Sequence, residues 1–149
     1  MDFVLDTNIL VHFIRSDEYI RKIIQDYTLF TPENSAFISI ASVGEIKSLA
    51  FQFGWGQNKL ERLSHFLTVL NPFPIDSTEI SEAYADLDGF SQCCHPHYPT
   101  PLGMTSKNMG KNDLWIAATT MLLNATLLTT DTDFAHLSPQ FFKMEIVQF

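Results

Sequence analysis

The sequence predicts an α/β fold with a largely parallel central sheet of four to five strands. Three observations lead to this prediction. Short apolar runs typical of buried strands alternate with longer segments whose apolar residues recur at helical spacing. Proline, glycine and asparagine mark turns between the two kinds of segment. The alternation starts at once, because the strand-like run Phe3–Leu5 is followed directly by a helical pattern. Strands that alternate with helices pair in parallel.

The N-terminal half of the chain holds two predicted strands, Phe3–Leu5 and Ala36–Ile40, each a short apolar run. Two helices are predicted between them, and the first has apolar residues at helical spacing. These apolar residues are Ile9, Leu10, Phe13 and Ile14. The helices themselves are predicted over Thr7–Ile14 and Asp17–Tyr27, with a turn at Pro32, Asn34 and Ser35.

Further helices are predicted through Ile46 towards Phe53 and over Asn58–Val69, followed by an extended piece that reaches Ile75. The segment Asp76-Ser77-Thr78-Glu79 has the form of a helix N-terminus and predicts a helix to Leu87. Residues 89–111 contain three prolines and three glycines without apolar periodicity, which predicts a long loop with a functional role or disorder. The last predicted elements are a helix with a strong apolar pattern, Asp113–Leu123, and two strands, Ala125–Thr130 and Met144–Phe149.

The bulk properties of the chain indicate one domain that spans residues 1–149. No apolar run is long enough for a membrane span, and the N-terminus lacks the basic segment of a signal peptide. The only two cysteines, Cys93 and Cys94, are adjacent, so a reducing cytoplasm is expected. The net charge of −8 argues against nucleic-acid binding without help. It is compatible with a cation-dependent site and with a basic protein partner.

Four acidic residues lie at the ends of predicted elements or on their inner faces: Asp6, Glu45, Asp113 and Asp131. Burial of a carboxylate is costly unless a partner compensates for the lost water. A hard divalent cation is one partner that would serve all four, since it prefers oxygen ligands. Ligands in parallel sheets bind at the carboxyl ends of the strands, where Asp6 and Asp131 are predicted to lie.

Each acid also has a purely structural interpretation. Asp6 could cap the helix that follows it, and Asp113 could favour a helix N-terminus through the helix dipole. Glu45 completes Ser42-Val43-Gly44-Glu45, which has the pattern of a capping box. Ser39 is an alternative cap for the same helix and would place Glu45 in its second turn. Asp131 could serve a turn.

Four sequence motifs carry a family resemblance. They are Leu5-Asp6-Thr7-Asn8-Ile9-Leu10, Val43-Gly44-Glu45-Ile46, the nine residues Gly110–Ala118, and Thr129-Thr130-Asp131-Thr132-Asp133-Phe134. In this order the chain resembles the PIN-domain family and, more narrowly, the VapC-type toxins of bacterial toxin–antitoxin pairs. The resemblance covers nearly the whole chain. It implies a PIN-like three-layer α/β/α fold.

The resemblance also implies a metal-dependent endoribonuclease with Mg²⁺ or Mn²⁺ as cofactor. Asp6, Glu45, Asp113 and Asp131 would form the acidic cluster, with Asp133 as a second candidate for the fourth acid. We assign Asp6 and Asp113 as direct ligands, whereas Glu45 and Asp131 would complete the set or hold metal-bound water. A bound divalent ion lowers the pKa of its water, and a second ion would stabilise the leaving oxygen.

Several other residues are predicted to support the site. Thr129 matches the family's hydroxyl residue, Thr7 and Asn8 continue the first motif, and Asn112 would orient Asp113 or cap its helix. Lys111 is the lysine best placed in sequence to contact phosphate. The other cations near the motifs are Arg15, Lys47 and Lys107, and we interpret the first two as solvated surface charges.

The segment Cys93-Cys94-His95-Pro96-His97 raises the possibility of zinc, but adjacent cysteines and closely spaced histidines fit structural zinc sites poorly. Partners implied by the resemblance are an RNA substrate (tRNA or ribosomal RNA), a small antitoxin and a second copy of the chain. Two other functions are open: a metal-dependent phosphatase, and a non-catalytic PIN-like RNA-binding or regulatory module. Leu5-Asp6-Thr7-Asn8 lacks the second aspartate of phospho-aspartyl phosphatases, which disfavours the former.

Overall fold

Five parallel strands form one sheet at the centre of the computed structural model, which describes residues 1–149. The strands are β1 (Asp2–Leu5), β2 (Ser35–Ser39), β3 (Asn71–Phe73), β4 (Thr126–Thr129) and β5 (Lys143–Ile146). Their order in the sheet is β3-β2-β1-β4-β5, and every neighbouring pair is parallel. The predicted α/β class is confirmed.

Six α-helices connect or flank the strands. They are α1 (Thr7–Arg15), α2 (Asp17–Tyr27), α3 (Ile40–Gln52), α4 (Gln57–Val69), α5 (Thr78–Ser91) and α6 (Lys111–Leu122). A short 3-10 helix, Thr132–Leu137, follows β4 and was not expected from the sequence. Every helix in the structure is too short or too polar to cross a lipid bilayer.

The helices cover both faces of the sheet, because successive residues of a strand point to opposite faces. Phe3 and Leu5 of β1 pack in one hydrophobic core with residues of α1, α2, α3 and α4. Val4, between them, packs in a second core with residues of α5, α6 and the 3-10 helix. This arrangement is the three-layer α/β/α architecture predicted above.

The long loop is shorter than predicted, because α5 continues to Ser91 and the loop spans residues 92–110. Leu87 and Phe90 are fully buried, so the apolar face of α5 persists beyond Gly89. The sequence suggested a break at this glycine. In the structure Gly89 makes room for a neighbour, since a Cβ there would lie 3.3 Å from Cδ2 of His95.

Two strands at the edges of the sheet also differ from prediction. The extended piece near Ile75 is the edge strand β3, and it tolerates Pro72 because it pairs only with β2. The last strand ends at Ile146 and not at Phe149.

The order of the strands places a crevice at the carboxyl ends of β1 and β4. The chain passes from β1 to β2 and β3 on one side of the sheet and returns through β4 and β5 on the other. Such a reversal is where open α/β sheets bind their ligands. The residues that follow β1 and β4 are therefore expected to line a functional site.

Candidate active site

The crevice begins with Asp6, the residue that follows β1. Its side chain is only 4% exposed, and its Oδ2 accepts a hydrogen bond of 2.7 Å from the hydroxyl of Thr129, the last residue of β4. The backbone N–H of Asp6 also donates to the carbonyl of Leu128 at 3.0 Å. Asp6 occupies the N-cap position of α1 without a capping hydrogen bond from its side chain. Helix capping therefore does not explain this carboxylate.

Burial raises the pKa of the Asp6 carboxyl group, and the hydrogen bond from Thr129 opposes this effect. The negative charges of Glu45 and Asp131 raise the pKa further. The protein thus holds a carboxylate where its charge is unfavourable unless a cation compensates.

Glu45 lies on α3 and joins the site through two neighbours. Its Oε2 accepts hydrogen bonds of 3.2 Å from the hydroxyl of Thr7 and of 3.2 Å from the amide of Asn112. The capping-box interpretation of Glu45 is wrong, because Ser39 caps α3 by accepting the N–H of Ala41 at 3.2 Å. Glu45 therefore lies in the second turn, where its side chain is available to the site.

Asp113 lies in the first turn of α6, two residues after the start of the helix at Lys111. Burial raises the pKa of its carboxyl group, and the charges of four other acids contribute, so that the pKa is about 6. These four acids are Asp6, Glu45, Asp131 and Asp133. The five acidic side chains from four separate parts of the chain thus share one electrostatic environment.

Asp131 is partly buried and has both a structural and an electrostatic role. Its Oδ1 accepts the N–H of Asp133 at 2.8 Å and caps the 3-10 helix, as the turn interpretation expected. Its own N–H donates to the hydroxyl of Thr129 at 2.9 Å. Thr129 therefore links Asp6 to Asp131, and the charge of Asp131 raises the pKa of both Asp6 and Asp113.

The donor set suits a hard divalent cation, since it consists of carboxylates with no thiolate or imidazole. As the side chains stand, no three Asp, Glu, His or Cys residues form a complete metal-binding cluster. The acids nevertheless raise the pKa of Asp6 and Asp113, because charges act on each other over distances much longer than the roughly 2.0–2.6 Å of a bond between a metal ion and oxygen.

Two clefts lie beside these acids, and residues at the start of α6 line both of them. One, of about 300 Å³, is lined by Lys107, Asn108, Met109, Gly110, Asp113 and Asp133. The other, of about 470 Å³, is lined by Ala41, Gly44, Glu45, Ser48, Leu49, Gln52 and Asn112. Asp113 and Asp133 therefore face one cleft, and Glu45 faces the other.

The structure does not bring all the predicted supporting residues into the site. Asn8 is exposed, and its side chain makes no hydrogen bond within the protein. Lys111 is exposed and lines neither cleft, whereas Lys107 lines one of them. Arg15 lies over the ring of Phe53 at 4.9 Å and so belongs to another surface. Nothing in the sequence favoured Lys107 over Lys111, because the loop before α6 has no periodicity to indicate which side chain returns to the site.

The loop around Cys93–His97 is organised by one histidine. The Nδ1 of His95 accepts the backbone N–H groups of His97 at 3.0 Å and Tyr98 at 3.1 Å, and its Nε2 lies 2.8 Å from Oδ1 of Asp86. Nδ1 is an acceptor here, so Nε2 carries the proton and donates to Asp86. Both ring nitrogens are occupied by protein partners, which gives His95 a structural role in place of metal ligation.

We expect His95→Phe to destabilise the fold by about 1–2 kcal/mol, because two backbone N–H groups and one carboxylate lose a partner. The free energy of unfolding in urea would measure the change. His97→Phe is the matched control, since no hydrogen bond of its ring is seen and its ring lies 6.0 Å from that of His95. Equal stability of the two variants would contradict the role given to His95.

Comparisons with known proteins agree with the observed fold. A family model described as the PIN domain matches residues 3–138. Among solved structures, that of VapBC2 from Rickettsia felis bound to a promoter DNA fragment aligns with a TM-score of 0.73 and 22% identity, and covers 99% of this chain and 100% of that chain. VapBC-1 from nontypeable Haemophilus influenzae aligns with a TM-score of 0.71 and 20% identity, with 97% of each chain covered.

A further similar structure is VapBC-5 from Mycobacterium tuberculosis, a member of the VapBC family of toxin–antitoxin systems. It aligns with a TM-score of 0.59 and 19% identity, and covers 99% of this chain and 98% of that chain. No curated protein matches the chain. At these identities the solved structures show a shared fold over the full length.

Proposed function

This chain belongs to the PIN-domain family, and from that premise we propose that it is a metal-dependent endoribonuclease, the toxin of a type II toxin–antitoxin pair. The observation that carries the proposal is that Asp6, Glu45, Asp113 and Asp131, from four separate parts of the chain, meet where β1 and β4 end and are linked by hydrogen bonds through Thr7, Asn112 and Thr129. Burial, together with the charges of the other acids, raises the pKa of Asp113 to about 6. A cation that relieves this repulsion would bind where the sheet opens between β1 and β4.

Each acid has a role in this proposal. Asp6 and Asp113 would hold Mg²⁺ or Mn²⁺, with Asp131 and Asp133 close by. Thr7 and Asn112 orient Glu45, and Thr129 orients Asp6 through hydrogen bonds. The ion, when bound, would supply a nucleophile from its water at neutral pH and stabilise charge on the phosphate. Because Asp113 has a raised pKa, binding of a cation near pH 6 would release a proton from it.

The proposal also includes binding partners for this chain. The VapBC structures that share the fold are named for toxin–antitoxin systems, so we propose a small antitoxin as partner and tRNA or ribosomal RNA as substrate. A homodimer in the cytoplasm completes the proposal. The net charge of −8 is compatible with a basic segment of the antitoxin.

The proposal predicts cleavage of RNA that depends on a divalent ion. Purified protein, freed of metal with a chelator, is expected to cut RNA only after Mn²⁺ or Mg²⁺ is restored. It is expected to leave a generic phosphomonoester intact. Gel analysis of the RNA and a colorimetric phosphate assay measure the two activities.

The Asp113→Asn variant, purified in parallel, controls for contaminating ribonucleases. Hydrolysis of the phosphomonoester at a comparable rate would favour the phosphatase alternative. RNA that stays intact with both ions, at every concentration of protein, would favour the non-catalytic module.

A further inference from the structure

The last part of the long loop is fastened to the end of α5. The N–H of Lys107 donates to the carbonyl of Ser91 at 2.7 Å, and Nε2 of Gln92 donates to Oδ1 of Asn108 at 3.3 Å. The Sδ of Met109 lies 3.5 Å from Oγ of Ser91. Three consecutive residues of the loop thus contact the last turn of α5. We call residues 107–110 the return segment.

Ser91 connects this segment to the acidic site. Its side chain is fully buried, and its hydroxyl lies 2.8 Å from the carbonyl of Leu87 and 2.7 Å from Nε2 of His136. His136 belongs to the 3-10 helix that follows Asp131. Ser91 therefore contacts both the return segment and the 3-10 helix after β4. These contacts fix the position of the return segment beside the acids.

Lys107 is the residue of this segment that carries a positive charge. It lines the 300 Å³ cleft together with Asp113 and Asp133, and no other lysine or arginine lines that cleft. Its side chain is exposed and forms no ion pair. An unpaired ammonium group at the edge of a carboxylate cleft is free to bind an anion that enters there.

A local cation is needed at this place because the chain as a whole repels nucleic acid. The protein has 17 acidic and 9 basic residues, and five of the acids lie at the site itself. A phosphate of an RNA strand that approaches Asp113 therefore needs a nearby positive charge besides the metal ion. Lys111, predicted from the sequence for this task, lines neither cleft.

We propose that Lys107 binds a backbone phosphate of single-stranded RNA beside the scissile linkage, so that the strand enters the acidic site along the return segment. This inference rests on the proposed ribonuclease function. A lysine that contacts phosphate positions the strand and carries no sequence information. The effect of Lys107 on binding should therefore be the same for different RNA sequences.

The test compares Lys107→Gln with Lys111→Gln, two variants with the same change of net charge on neighbouring exposed residues. Anisotropy of a fluorescent 12-nucleotide oligouridine, measured in chelator over a series of salt concentrations, gives the slope of log affinity against log salt. We expect Lys107→Gln to reduce the steepness of this slope by about 0.7 and Lys111→Gln to leave it unchanged. Lys107→Arg should keep the wild-type slope.

Cleavage kinetics with Mn²⁺ provide the second measurement. Loss of one charged contact is expected to raise the KM of Lys107→Gln about tenfold, with a smaller change in kcat, for two unrelated RNA sequences. Equal salt slopes or equal KM values for the two glutamine variants would overturn the role of Lys107, and the KM comparison decides if binding in chelator is too weak to give a slope. Failure of the proposed function looks different: RNA would bind with the expected difference between variants but would not be cut.

Discussion

Replacement of Asp113 by asparagine is expected to abolish metal-dependent RNA cleavage and, in metal-free protein, to stabilise the fold. The first effect follows because the variant loses a carboxylate that would hold the ion, and we expect a loss of at least about 10³-fold in rate. The second follows because the charge of Asp113 is unfavourable where it lies. Its pKa is raised to about 6 by burial and by four neighbouring acids.

The size of the stability effect of Asp113→Asn depends on pH, whereas its sign does not change. The folded state binds the Asp113 proton more tightly than the unfolded state, whose pKa is near 3.8. The contribution of this group is therefore most favourable below pH 3.8 and is lost as pH rises through about 6. The stabilisation by Asp113→Asn should be absent below pH 4 and reach a plateau above pH 6. Because the group is only partly buried, we expect a plateau of about 1 kcal/mol.

Urea denaturation in chelator at several pH values would measure this difference, and Asp76→Asn, at an exposed acid in a loop, is the control. Mn²⁺ should raise the melting temperature of the wild type and of the control more than that of Asp113→Asn. An Asp113→Asn variant that cuts RNA at the wild-type rate would remove this residue from the site. An unchanged stability difference from pH 4 to pH 8 would contradict the electrostatic argument.

Replacement of Thr129 by valine is expected to have the largest effect on stability among the site residues. Its hydroxyl is fully buried, donates to Asp6 at 2.7 Å and accepts the N–H of Asp131 at 2.9 Å. Valine has nearly the same shape but can form neither bond. The variant removes the Thr129 donor from the buried carboxylate of Asp6 and the acceptor from the backbone N–H of Asp131, which costs on the order of 2–4 kcal/mol. Cleavage should fall as well, because Asp6 and Asp131 lose their common support.

Thr120→Val is the matched control for this substitution. Thr120 is equally buried, but its hydroxyl bonds only to the carbonyl of Ile116 in its own helix, at 2.8 Å. Its loss should cost about 1 kcal/mol and leave cleavage intact. The deficit of Thr129→Val should also grow with pH, since the ionised form of Asp6 depends most on the lost donor. Similar stability and activity of the two valine variants would show that Thr129 is an ordinary core residue.

The local pattern of apolar and polar residues predicts much of the fold. The alternation of apolar runs and helical spacing predicted six helices, four strands and an extended piece at the place of the fifth strand, all in the right order, because burial on one or two faces imposes a period on the sequence itself. The sequence also predicted the acids at the ends of β1 and β4, because the end of a strand is visible in the local pattern of apolar residues. The boundaries were less accurate where tertiary contacts decide them. Gly89 looked like a helix breaker, yet α5 continues past it against His95.

The sequence by itself therefore determined the fold class, the order of the elements and the acidic residues near their ends. Only the tertiary structure decided how the side chains are used. It showed that Ser39 rather than Ser42 caps α3, that Thr129 joins Asp6 to Asp131, and that Lys107 rather than Lys111 lines the cleft beside Asp113. The physical reason is distance along the chain: periodicity records contacts between near neighbours, whereas Thr129 and Asp6 are 123 residues apart and meet only when the sheet assembles.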